Sequence, residues 1–254
     1  MSRFADKLKN ALQVAPPSMG FFRSTSSADK PRMLLVARLT LEDAENASDV
    51  MKSADAVLLT CHKYLPAKTL KMLLKTAGDA PLGVWFIGKA QSKVPEGVDF
   101  EAFAAENTLL SRSSTGIGKV LVLPSDLPDS FARALNDLPM DSILVDADTT
   151  AALTWMDLMR WSRLGDFITK PLLAHVPVDI SGNEITMLWD GGVDALVVSV
   201  SAESGESFNK LRAVADELKL APKRKWMKTS AIVPVVKQDA AAFASDDDDA
   251  DDDD

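Results

Sequence analysis

The chain has 254 residues, 46% of them apolar, and a formal net charge of −9. Eight of its last nine residues, 246–254, are aspartate; without them 29 acidic residues face 28 basic ones. A near-neutral body gives no sign of a nucleic-acid-binding surface, and a single cysteine, Cys61, rules out a disulfide within the chain and suits a reducing cytoplasm.

Residues 3–12, RFADKLKNAL, place Phe4, Leu8 and Leu12 on one face of a short helix. The opening lacks the continuous apolar core of a signal peptide, and no stretch reaches the roughly 18 apolar residues that cross a bilayer. The reading is a cytoplasmic protein with no membrane contact. The Pro-, Gly- and Ser-rich stretch that follows reads as a tether, with Met19, Phe21 and Phe22 pinned to the body.

From Met33 a rhythm sets in: an apolar run ends in a polar residue, a helical stretch follows, and another run begins. The runs are 33–38, 56–60, 83–87, 99–104, 119–124, 142–147, 171–176 and 194–200. Near-continuous Val, Leu and Ile content fits parallel strands covered on both faces, and parallel neighbours need crossover helices. The fourth run, DFEAFA, is interrupted by Glu101.

The helices between the runs carry start and stop signals. Residues 41–54 begin behind Thr40, with Asp43 three positions on. Residues 67–78 stop at Gly78. Residues 126–138 have Asp126 as a cap and Pro128 in the first turn. Residues 153–165 repeat apolar positions at helical spacing, and 181–192 open on a capping pair, Ser181 with Glu184. Residues 207–219 follow the eighth run. The links after the third and fourth runs hold a turn or two of helix at most.

Eight strand–helix units point to an α/β fold, a (β/α)8 TIM-type barrel, over an open doubly wound sheet of five or six strands. The predicted division is an N-terminal helix and tether at 1–29, the barrel at 30–220, and an extension at 221–254 ending in a disordered acidic tail.

In such barrels function lies at the C-terminal ends of the strands. The residues at or just past the end of each run form a polar ring. Arg38, Lys63 and Lys89 are candidate anion contacts, joined by His62, Ser199, Ser201, Ser204 and Gly205 as ligand-binding residues. Asp146 and His175 are the candidate catalytic residues, one or the other acting as acid–base. Lys170 precedes its strand and belongs on the opposite, structural face. Cys61 and His62 are adjacent on a strand and point opposite ways, against a nucleophile–base pair. His62, His175 and Asp146 show no paired metal-ligand spacing, so no metal is predicted, and no cofactor motif is legible.

Residues 176–206, VPVDISGNEITMLWDGGVDALVVSVSAESGE, resemble the closing third of phosphate-binding (β/α)8 barrels, such as those acting on ribulose phosphates or in tryptophan and histidine synthesis. The resemblance implies a phosphate held on backbone N–H groups by the loop after strand seven and the helix start after strand eight. Two departures stand out. Val176-Pro177-Val178-Asp179 replaces the Gly-Gly those families carry after strand seven, and Ser199-Val200-Ser201 replaces their Gly-Ser.

Two functions follow from these readings. One is an enzyme or binder of a small anionic, phosphorylated metabolite at the barrel rim. The other is a non-catalytic barrel serving as an interaction or structural module, with self-association into a homo-oligomer in view. For Trp155, Met156, Met159, Trp161, Met187 and Trp189, helical spacing predicts packing against the strands, with an exposed partner-binding patch as the alternative.

Overall fold

The computed structural model describes residues 2–12, 32–62, 65–88, 94–110, 116–125, 127–147, 152–201 and 204–221. The predicted tether, with Met19, Phe21 and Phe22, and the acidic extension beyond Ala221 lie outside these residues.

Eight apolar segments form parallel strands: β1 (Leu34–Thr40), β2 (Ala56–Cys61), β3 (Leu82–Phe86), β4 (Phe100–Ala104), β5 (Gly118–Pro124), β6 (Ser142–Asp146), β7 (Leu172–Val176) and β8 (Ala195–Ser199). Each pairs with the next and β8 pairs with β1, so the sheet closes into a barrel with no free edge. The helices are α1 (Arg3–Leu12), α2 (Leu41–Ala44), α3 (Ser48–Ser53), α4 (Ala67–Ala77), α5 (Asp129–Ala134), α6 (Trp155–Phe167), α7 (Gly182–Asp190) and α8 (Gly205–Glu217), with one 3-10 turn at Ala105–Asn107 after β4. The predicted (β/α)8 architecture is present.

Local expectations fare unevenly. The Thr40–Asp43 and Ser181–Glu184 caps form as read, and Gly78 ends α4 at φ +58°, a conformation that suits a residue without Cβ. The single helix expected at 41–54 is two, α2 and α3, broken at residues 45–47. The helix expected from Asp126 begins at Asp129, with Pro128 outside it as the N-cap. β1 runs on past Arg38, where the first apolar run ends, to Thr40. Glu101 does not break β4: it sits buried in the strand, in register with Lys119 of β5.

Alternation along the strands sorts side chains into two cores. One, between barrel and helices, holds Leu35, Ala37, Leu39 and their counterparts. The other fills the barrel interior with Leu34, Val36, Leu58, Trp85, Phe100, Val120, Leu144, Leu173 and Val197. α1 closes the lower end of this interior. Phe4 and Leu8 are buried there, and the Phe4 ring stacks on Phe100 with centroids 4.4 Å apart. Phe100 fits because Gly83 faces it; a Cβ on Gly83 would lie 2.2 Å from the ring.

The N-terminal end of the barrel carries a repeat that strand-by-strand reading does not reveal. An aspartate immediately precedes every even strand: Asp55, Asp99, Asp141 and Asp194. Each donates its N–H to a carbonyl near the start of the strand before, on Leu35, Leu82, Lys119 and Leu172. Three of the carboxylates then accept the N–H of Leu35, Lys119 or Leu172. The fourth, Asp99, accepts instead from Ser2 Oγ and from the N–H groups of Arg3 and Phe4, capping α1. The helix that plugs the barrel is thus fastened by the same residue that elsewhere ties strand to strand.

Candidate functional site

At the opposite end the period of two brings every second residue into the mouth. Following Leu34 and Val36 inward, β1 presents Arg38; following Leu144, β6 presents Asp146. β7 presents His175 after Leu173, and β8 presents Ser199 after Val197. Four predicted site residues, from four strands, therefore meet. His175 Nδ1 lies 2.8 Å from Asp146 Oδ1, and His175 Nε2 lies 2.7 Å from Ser199 Oγ. Arg38 Nη1 lies 3.0 Å from the same Asp146 oxygen and 3.2 Å from His175 Nδ1, while Arg38 Nε donates to Thr60 Oγ1 at 3.2 Å. The guanidinium carbon sits 4.5 Å from the centre of the Trp85 ring, a cation–π contact that fixes the plane of the fork.

These partners decide the imidazole tautomer. Burial would raise the Asp146 pKa, but the His175 hydrogen bond and the Arg38 charge outweigh it, holding the carboxyl below the usual range. An ionised carboxylate only accepts and a guanidinium only donates. His175 Nδ1 must therefore carry a proton and give it to Asp146, and Arg38 donates to the carboxylate rather than to the ring. In the neutral ring Nε2 is then the acceptor, and the exposed Ser199 hydroxyl donates to it. His175 itself is 5% exposed, so Asp146 and Ser199 set its orientation with little competition from water.

Two cavities flank this cluster. One of 460 Å³ is bordered by Arg38, Thr60, His62, His175, Ser199, Ser201 and Ser204. One of 780 Å³ is bordered by Trp85, Glu106, Leu127, Phe131 and Asp146. Arg38, stacked on Trp85 and paired with Asp146, stands between the two hollows.

The remaining predicted residues distribute around this centre. His62 is exposed at the end of β2 and faces the smaller cavity. Ser201 and Ser204 bind each other: Ser201 N–H donates to Ser204 Oγ at 2.8 Å, and the two hydroxyls are 3.2 Å apart. Ser204 is the N-cap of α8 but places no side-chain hydrogen bond on its first turn, whose N–H groups begin at Gly205. Lys63 and Lys89 lie outside the described residues. Cys61 is buried on the helix side of β2, and burial pushes its thiol up to about 11, so it stays protonated at neutral pH. Lys170 sits on the opposite face as expected, donating to the carbonyls of Leu138 and Met140. Sequence reading missed Thr60 as the group that holds Arg38 Nε, and Trp85, whose inward place follows from its alternation with Gly83.

Among the described residues no group of three or more His, Cys, Asp or Glu side chains is arranged to hold a metal ion, and no helix is long and apolar enough to cross a membrane. Trp161 and Trp189 are buried as predicted. Trp155, Met156, Met159 and Met187 are not: they are exposed, Trp155 at 71%, because they lie on the outward faces of α6 and α7.

No family model and no curated protein sequence matches the chain. Solved structures do. A mutant tryptophan synthase alpha-subunit from the hyperthermophile Pyrococcus furiosus superposes with a TM-score of 0.58 at 13% identity, over 74% of this chain and 99% of that one. A second mutant of the same subunit gives 0.56 at 14% identity, over 74% and 98%. Thiamine phosphate pyrophosphorylase from the same organism gives 0.51 at 14% identity, over 71% and 96%. At such identities the likeness is one of fold: this chain is a TIM barrel.

Proposed function

We propose that the mouth of the barrel binds a small anionic, phosphorylated metabolite and converts it with Asp146 and His175 in the acid–base role. The observation that carries this reading is the convergence of Arg38, Asp146, His175 and Ser199 at the barrel mouth, from four separate strands, with Arg38, His175 and Ser199 lining one cavity. Strand ends are polar in any barrel, but a histidine fixed on one nitrogen by a carboxylate and opened on the other toward a cavity is arranged as a general base. Arg38 supplies the positive charge, and the first turn of α8, which begins at Gly205 behind the Ser204 cap, supplies backbone N–H groups for the ligand's anionic end. Ser201, His62, Lys63 and Lys89 complete the proposed contact set. The likeness to thiamine phosphate pyrophosphorylase, which by its name handles a phosphate compound, supports the choice of anion. The proposed working unit is the barrel at 30–220, acting in the cytoplasm.

A second reading is favoured by one observation, the exposed Trp155, Met156, Met159 and Met187 on α6 and α7. It makes the protein a non-catalytic module that meets a partner, or a second copy of itself, on that face.

Thermal melting of the full chain with inorganic phosphate and a panel of phosphorylated sugars separates the two. The first reading expects a rise in melting temperature that grows with ligand concentration and disappears in Arg38→Ala. No shift with any compound, together with concentration-dependent self-association that Trp155→Glu abolishes, would replace it with the second.

A further inference from the structure

We infer that Ser199 is a nucleophile, and that the substrates of this mouth include a carboxylic ester or thioester that carries the anionic group. The inference rests on the mouth being a ligand site, and it adds the reaction class.

Three relations carry it. First, Asp146, His175 and Ser199 form a continuous hydrogen-bonded series of 2.8 Å and 2.7 Å, in which the carboxylate fixes the ring with Nε2 as acceptor. This is the arrangement in which an imidazole takes the proton of a hydroxyl as that hydroxyl attacks. Second, Ser199 stands apart from the other cavity hydroxyls. Thr60 is occupied by Arg38, and Ser201 and Ser204 are occupied by each other, whereas Ser199 is bonded to the base. Its residue is exposed at the cavity, while the imidazole behind it is buried. A hydroxyl serving only to satisfy a core histidine gains nothing from that placement. Third, Arg38 is in strand register with Ser199, and its Nη2 has no partner among the described residues. With the substrate's permanent charge at the first turn of α8, Nη2 is a donor for charge that develops on a carbonyl oxygen.

The chemistry closes without a further reagent than water. Ser199 Oγ bonds to the carbonyl carbon and its proton passes to His175 Nε2. The bond to the alcohol or thiol breaks, and the leaving oxygen or sulfur takes that proton. Water then attacks the acyl-serine and gives a proton to Nε2. As the acyl–oxygen bond breaks, Ser199 Oγ recovers the proton and the carboxylic acid departs.

The test is covalent labelling of the full chain with a fluorophosphonate probe, read by intact mass and peptide mapping, beside phosphate-dependent melting of the same samples. The expected result is one adduct, on Ser199, absent in Ser199→Ala and formed at least about a hundredfold more slowly in His175→Gln. Asp146→Asn, which keeps the side-chain shape, slows labelling as well and serves as the check where His175→Gln does not fold. No adduct on Ser199 in the unmutated protein overturns the inference. So does an adduct that forms at an unchanged rate in the folded variants. A phosphate shift that persists without an adduct removes the nucleophile and leaves the ligand site; loss of both removes both.

Discussion

Asp146 and His175 meet through one hydrogen bond of 2.8 Å between neighbouring strands at the mouth of the barrel, and Arg38 binds the same carboxylate oxygen at 3.0 Å. That oxygen therefore has two donors, and its carboxyl is held below the usual range despite burial. A carboxyl depressed in the folded state adds stability above its unfolded pKa, near 3.9, and loses it as pH falls through the folded value. Asp146→Asn should thus be less stable than the unmutated protein at pH 7, by a margin that is flat down to about pH 5 and shrinks below about pH 4. Chemical denaturation at steps of pH measures it; an equal margin at pH 7 and pH 3 would refute the linkage.

Arg38 is held by geometry as much as by charge, through Thr60, Asp146 and the Trp85 ring. Lysine has no planar fork and cannot make the three contacts together. Arg38→Lys is therefore expected to lose most of the phosphate-induced melting shift, as Arg38→Ala does, although it keeps the charge. A full shift in Arg38→Lys would show that charge alone suffices.

The lower end of the barrel depends on a close approach. The Phe100 ring occupies the space a Gly83 side chain would take, and the Phe4 ring stacks on it. Gly83→Ala should destabilise by about 1–3 kcal/mol, because the ring must move against well-packed neighbours. Adding Phe100→Leu should restore part of that loss, giving a non-additive cycle by urea denaturation. Additive losses would mean that the ring is not what the methyl group meets.

Much of this was legible in the sequence, and the parts that were not share a cause. The eight strands could be read because each is a short run rich in apolar residues, Val, Leu and Ile in all but β4, where Phe and Ala take their place, and that is a local signal. α1 was readable from Phe4, Leu8 and Leu12, but its place inside the barrel floor was not, since that depends on Phe100 and Gly83 far along the chain. Arg38, Asp146, His175 and Ser199 were legible as rim residues. Their hydrogen bonds were not, because register and barrel closure decide which inward residues meet. The helix at 41–54 was misjudged because its apolar pattern is continuous although the backbone is not. The aspartates before the even strands are a visible signal, Asp55, Asp99, Asp141 and Asp194, that becomes meaningful once strands are taken in pairs.

That repeat makes its own prediction at Asp55, whose carboxylate accepts the Leu35 N–H and also meets Arg32 and Arg212. The side chains of Asp55 and Arg212 are largely buried, so removing the acid leaves a cation without its partner. Arg212 keeps Asp216 as a second acceptor, which limits the damage. Asp55→Ala is expected to cost about 3 kcal/mol, at the lower edge of the range for broken buried pairs. Arg32→Ala, at an exposed position, should cost under about 1 kcal/mol. Equal losses by urea denaturation would mean that burial is not what distinguishes the two arginines.

The tryptophans of α6 separate packing from exposure on a single helix. Trp161 is 1% exposed and packs in the core between barrel and helices, whereas Trp155 at the helix start is 71% exposed. Both belong to the same apolar pattern, and sequence spacing treats them alike. Trp161→Ala should cost about 3–5 kcal/mol, because a large cavity opens where neighbours cannot collapse. Trp155→Ala should change stability by no more than about 0.5 kcal/mol at low protein concentration. A larger loss that grows with protein concentration would place Trp155 in a contact between copies of the chain, since an exposed ring contributes to stability through whatever covers it.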